Sequence, residues 1–125
     1  MVGRSICATV EVPELVGGNI VEHLNYRHTA LARAKGSRHQ AVVGVVASGD
    51  LEVLVERTLP DGECEVNIRT SIPGFGDVWC AVVADFAQLR SPGGLKLSVN
   101  DGGARPDMVS LRLAQAVRAV AGDRV

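Results

Sequence analysis

Hydrophobic and polar positions alternate most regularly from residue 41 onward. Val42–Val46 is an apolar run, and Leu51–Arg57 sets Leu51, Val53 and Val55 against Glu52, Leu54 and Glu56. That period of two predicts strands with one buried face. The Ala47-Ser48-Gly49-Asp50 break between them reads as a hairpin turn, since Gly accepts positive φ and Ser and Asp bond nearby backbone. Leu59-Pro60-Asp61-Gly62 predicts a second turn, and Cys64–Ser71 a third strand with Val66 and Ile68 inward. Helical spacing follows. Trp79, Val82, Val83, Phe86 and Leu89 share one face of a helix over Asp77–Arg90, with Asp77 as its N-cap. Ser91-Pro92-Gly93-Gly94 stops it. Leu95–Val99 alternates as a fourth strand. Pro106–Ala121 is a second helix, opened by Pro106 and closed by Gly122. Its buried stripe is Val109, Leu113, Ala116, Val117 and Val120, with Arg112, Gln115 and Arg118 toward solvent. The order β-β-β-α-β-α predicts an α+β fold, a mainly antiparallel four-stranded sheet with both helices on one face.

The chain divides near residue 40. Residues 22–40 are polar and basic, and are expected to form a loose arm rather than a short helix around His28–Lys35. Residues 1–21 show no amphipathic unit. The reading is therefore an N-terminal extension, 1–40, before a domain over 41–125.

Composition narrows the chemistry. The 46% hydrophobic fraction supplies a core, and with only Tyr26, Phe75, Trp79 and Phe86 as aromatics that core rests on aliphatic side chains. A formal net charge of −1 creates no field that would recruit nucleic acid or an anionic membrane. The charge is uneven: residues 1–40 hold five basic and three acidic residues, 41–125 eight and eleven. Cys7, Cys64 and Cys80 form no CxxC pair and, with His23, His28 and His39 scattered, no metal-ligand spacing. Reduced thiols and a cytoplasmic location are expected. Met1–Val21 is a poor signal peptide, and no run is long enough to span a bilayer.

Gly44 and Gly49 have the spacing of a phosphate-binding loop, but Asp50-Leu51 stands where Lys and Ser/Thr are needed, so that reading fails. Ser48 has no histidine placed by sequence to activate it and no G-x-S-x-G elbow, so no catalytic residue is assigned. Its bland reading is a turn residue in a non-catalytic α+β adaptor. Asn100, Asp101, Gly103 and Pro106 belong to an NDGGARP loop that is read as structural or as an interface.

Two patches carry a resemblance: VVGVVASGDLEVLVE, and SVNDGGARP followed by LRLAQA. Together they resemble the acyl carrier (delta) subunit of bacterial malonate decarboxylase, and more distantly the acyl carrier (gamma) subunit of citrate lyase. The resemblance implies that Ser48, within the turn Ala47, Gly49 and Asp50, carries 2′-(5″-phosphoribosyl)-3′-dephospho-coenzyme A through a phosphodiester. It implies a carrier without catalysis of its own, serving acyl transferase and decarboxylase subunits that turn malonate into acetate and carbon dioxide. A prosthetic-group transferase would attach the arm. It also implies a fold unlike the four-helix acyl carriers. Family members resemble the chain from about residue 22, so Val21, read from an alternative GTG codon, is a candidate start that N-terminal sequencing would test.

Overall fold

A computed structural model describes residues 12–122. The first eleven positions of the expected extension, Cys7 among them, lie outside the described residues. In chain order the elements are β1 (Val12–Val16), β2 (Asn19–Thr29), β3 (Gln40–Gly44), β4 (Leu51–Arg57), β5 (Glu63–Thr70), α1 (Gly76–Leu89), β6 (Leu95–Asp101) and α2 (Pro106–Ala121). Among the described residues the strands form one sheet in the order β1-β2-β5-β6-β4-β3. The fold is α+β, and the sheet has six strands where four were expected.

The period-two pattern becomes rows of side chains across this sheet. Leu24, Ile68, Val99 and Val53 lie opposite one another in register, as do Tyr26, Val66, Leu97 and Val55. All eight are buried. Helix α2 packs on β3 and β4, helix α1 on β2, and the helices touch each other. Trp79, Val83 and Phe86 of α1 and Val109, Leu113 and Val120 of α2 join the same core cluster. Both helices therefore cover one face. Each such side chain removed from water contributes about 1.5–3 kcal/mol.

Four strand pairs are antiparallel and one, β5 with β6, is parallel. A parallel pair cannot close through a tight turn, so the α1 segment supplies the crossover. The uncovered face is polar. There Asn25 Nδ2 donates to Glu65 Oε2 at 2.8 Å and to Asn67 Oδ1, and Asn67 Nδ2 donates to Glu65 Oε2 at 3.0 Å.

Residues 22–40 are not a loose arm, nor is there a helix around His28–Lys35. Strand β2 lies between β1 and β5, with Leu24 and Tyr26 inward, and the Tyr26 hydroxyl donates to the Gly76 carbonyl at 2.9 Å. Its outward positions His23, Asn25 and Arg27 are polar, which hid a half-buried strand inside a basic tract. The following segment is fastened by Arg57. That guanidinium donates to the carbonyls of Ala34 (2.7 Å), Lys35, Arg38 (2.7 Å) and Val120 at the end of α2 (3.2 Å). Gly36, at φ 92°, presses so close to Ala121 that a Cβ there would lie 2.4 Å from the Ala121 Cα.

Helix α2 spans the expected residues, with Pro106 in its first turn and Gly122 left-handed at φ 88°. Helix α1 differs. Phe75 occupies its N-cap without a side-chain cap bond, and Asp77 sits inside the first turn, where its charge favours the positive helix end. Leu89, expected on the buried face, is 74% exposed because the helix ends there. Cys64 is a free, buried thiol that burial and the neighbouring Glu65 charge push up to about 12. Cys80, expected to be reduced, is disulfide-bonded; bonding of this kind depends on proximity in space, which residue spacing does not show.

Candidate functional site

Strand β3 ends at Gly44, and the chain re-enters the sheet at Leu51. Between them, Asp50 N donates to the Ala47 carbonyl at 3.0 Å, closing a four-residue turn with Ser48 and Gly49 at its corners. Gly49 has φ 78° whereas Ser48 is not in the left-handed region, the pattern of a turn that demands glycine at its third position. Space around Gly49 is open, so its requirement is the dihedral angle and not room. Ala47, Ser48 and Gly49 are exposed, as are Val45 and Val46 before them.

The tip is exposed but tied down. Gly49 N donates to the Gly102 carbonyl at 3.1 Å, and Gly102 N donates to the Asp50 carbonyl at 2.9 Å. A Cβ on Gly102 would stand 2.4 Å from the Ala47 carbonyl oxygen, so only glycine lets the two loops meet. Gly44, at φ 78°, faces a similar limit, 2.1 Å from the Leu51 carbonyl oxygen.

Asp50 provides the third fastening. Its Oδ1 accepts from Leu51 N at 2.7 Å and from Arg112 Nε at 3.1 Å, and its Oδ2 accepts from Arg112 Nη2 at 2.9 Å. This two-pronged geometry fixes direction as well as distance. The Arg112 hydrogen bond, with the Leu51 amide and the Arg112 charge, holds the Asp50 carboxyl below its ordinary range. Arg112 is itself positioned by Gln115, whose Oε1 accepts from Nη1 at 2.9 Å. The helical spacing predicts both residues toward solvent, and the structure instead turns them toward the Asp50 turn. The available signal was the LRLAQA patch, which carries a cation the attachment patch lacks.

The second patch buttresses the first. Asp101 is buried at the end of β6, accepting from the Thr70 hydroxyl at 2.8 Å and from Ala104 N at 2.9 Å. That pairing fixes the start of the loop carrying Gly102, while Gly103 turns it at φ 99° and Pro106 opens α2. Asn100 pairs in register with Glu52 and Arg69 on the polar sheet face and does not reach the turn. Asp101 and the 102–103 glycines are thus supports.

No histidine approaches Ser48. His23 and His28 lie on β2, three strands from β4 and about 14 Å across at ordinary strand spacing. The His39 carbonyl meets Arg57, at the opposite end of the β3–β4 hairpin. Burial lowers the His28 pKa, which favours a neutral ring and not a solvated cation. Among the described residues no group of three or more His, Cys, Asp or Glu side chains could hold a metal ion.

Fold and site together define an α+β domain with one hydroxyl on an exposed hairpin turn that is bonded to the β6–α2 loop and to α2, and with none of its histidines beside it. The family model described as malonate decarboxylase delta subunit (MdcD) matches residues 38–120. The chain belongs to this acyl carrier family. A malonate decarboxylase acyl carrier protein of Bradyrhizobium diazoefficiens is 64% identical over 101 residues, 81% of this chain and 96% of the relative. Its counterpart in Xanthomonas campestris pv. campestris is 47% identical over 102 residues, 82% and 97% of the two chains. A chain of a Pseudomonas malonate decarboxylase hetero-tetramer, solved in complex with malonate, superposes with a TM-score of 0.70 at 33% identity, covering 79% of this chain and 98% of that one. None of the described helices is long and apolar enough to cross a membrane.

Proposed function

We propose that Ser48 is the attachment point for a 2′-(5″-phosphoribosyl)-3′-dephospho-coenzyme A arm, and that the chain carries acyl groups on it for malonate decarboxylase. The observation that carries this reading is the contrast at one turn: Ser48 is exposed, while Gly49 and Asp50 directly after it are bonded to Gly102 and Arg112. Acceptance of a phosphodiester asks for one accessible hydroxyl, and the open space at Gly49 admits an approaching enzyme. A prosthetic-group transferase would supply the catalytic base for the attachment.

When attached, the arm supplies a terminal thiol, and a thioester stabilises the carbanion of a decarboxylation better than a free carboxylate does. Acyl transferase and decarboxylase subunits would perform those reactions, with malonate as substrate and acetate and carbon dioxide as products. The chain contributes the tether. A short tether keeps its cargo at millimolar effective concentration for successive sites. The Asp50–Arg112 clamp keeps the tether's base from wandering, so partner enzymes meet Ser48 in one geometry. The hetero-tetrameric assembly of the Pseudomonas relative supports such partners.

Intact mass tests the assignment. Coexpression with the arm's synthase and transferase should add the arm's mass to wild type and nothing to Ser48→Ala. An unmodified wild type would overturn it, and a gain in both proteins would move the site elsewhere.

A further inference from the structure

Beside the attachment turn lies a cavity of about 350 Å³ that the carrier function leaves unused. Its walls are apolar: Ile72, Phe75, Val78 and Trp79 from the entry to α1, facing Pro106 and Val109 of α2. Three of these, Ile72, Phe75 and Val78, are 40–49% exposed, so the cavity opens to solvent. Thr70 and Asp101 also line it. The Asp101 carboxylate accepts from the Thr70 hydroxyl on one oxygen and from Ala104 N on the other, which leaves each oxygen one further acceptor site. Arg105 lines it too, 87% exposed and paired with Asp107 only at 3.7 Å.

The β6–α2 loop connects the cavity to the Ser48 turn. Gly102 bonds the Ser48 turn, and the next residue, Gly103, lines the cavity. Counting Cα steps of 3.8 Å, the lining begins on the order of 10–15 Å from Ser48.

Resting on the attachment of the arm to Ser48, we propose that this cavity receives the arm's pantetheine end, with Arg105 meeting its pyrophosphate. The chemistry of the two matches in order. A doubly charged pyrophosphate precedes a segment with a dimethyl-substituted carbon, and here an exposed cation stands beside apolar walls. Amide N–H groups of pantetheine find an acceptor in Asp101. Because the arm is tethered at millimolar effective concentration, a site with an intrinsic dissociation constant of about 0.1 mM is roughly 90% filled. Docking would shelter the thiol between visits to partner subunits.

The experiment uses the complete chain, loaded with the arm and verified by intact mass. Iodoacetamide labelling of the arm thiol is followed by mass spectrometry of the arm-bearing peptide, in the protein and after proteolytic release. If labelling requires the undocked state, 90% docking slows it about tenfold in the protein. Val78→Asp and Phe75→Ser, both at exposed wall positions, should each restore the rate to within about twofold of the released peptide. Emission from Trp79, the chain's one tryptophan, should shift on loading in wild type and not in these variants. Equal labelling rates in fully loaded wild type and released peptide would overturn docking while leaving the attachment intact. A Trp79 shift that comes with partner subunits and not with loading would give the cavity to a partner and overturn docking too. Absence of any mass gain at Ser48 would remove the attachment, and docking with it.

Discussion

Asp50 sits two residues from Ser48 and anchors the turn that carries the hydroxyl. Its carboxylate joins the turn to α2 through Arg112, two elements 62 residues apart in sequence. Because its folded pKa lies below the ordinary value of 3.8, the bond's contribution is present above that value and is lost as pH falls through the depressed folded one. Asp50→Asn should therefore lower the urea midpoint at pH 7, and the gap from wild type should close as pH drops below about 3.8. Parallel urea titrations at several pH values check this; a gap independent of pH would show that the carboxylate charge contributes nothing. The role of Asp50 was legible only in outline, as a turn former. Its partner was not: the LRLAQA patch marks Arg112 as a cation outside the attachment patch, but nothing on a solvated helical face says which carboxylate it meets.

The elements with strong periodicity were readable, and the reasons are physical. Leu51–Arg57 and Pro106–Ala121 fall where the alternation and the Pro and Gly boundaries placed them. Strand β2 was missed because only Leu24 and Tyr26 mark its buried face, with His23, Asn25 and Arg27 alternating around them. The contact between the β6–α2 loop and the β3–β4 turn also escaped a reading one element at a time. It can be tested directly. Gly102→Ala would place a methyl 2.4 Å from the Ala47 carbonyl oxygen and should cost about 1–3 kcal/mol, with amide shifts concentrated in residues 47–50. Denaturant unfolding and NMR would measure both. An alanine variant of unchanged stability would show that the loops part freely.

At the scale of the whole molecule, one sheet face gathers every strand with a clear pattern, and both helices cover it. Leu97 lies at its middle, fully buried, opposite Val66 on β5 and Val55 on β4. Leu97→Ala should cost about 2–5 kcal/mol, a large share of a domain stability of roughly 5–15 kcal/mol. Chemical denaturation reads this loss, and a change below 1 kcal/mol would mean that the core does not close around β6. The sequence by itself determined the order of strands and helices in the body, the turn that exposes Ser48, and the two patches that mark the family, while β3 lies at Gln40–Gly44, two residues before the expected Val42–Val46. Each of these depends on neighbours within a few residues, where periodicity and backbone preference act. Tertiary structure alone decided that β2 completes the sheet, that Gly102 and Arg112 clamp the Ser48 turn, and that an apolar cavity opens beside it. Those features depend on which distant residues meet, and no local pattern specifies that.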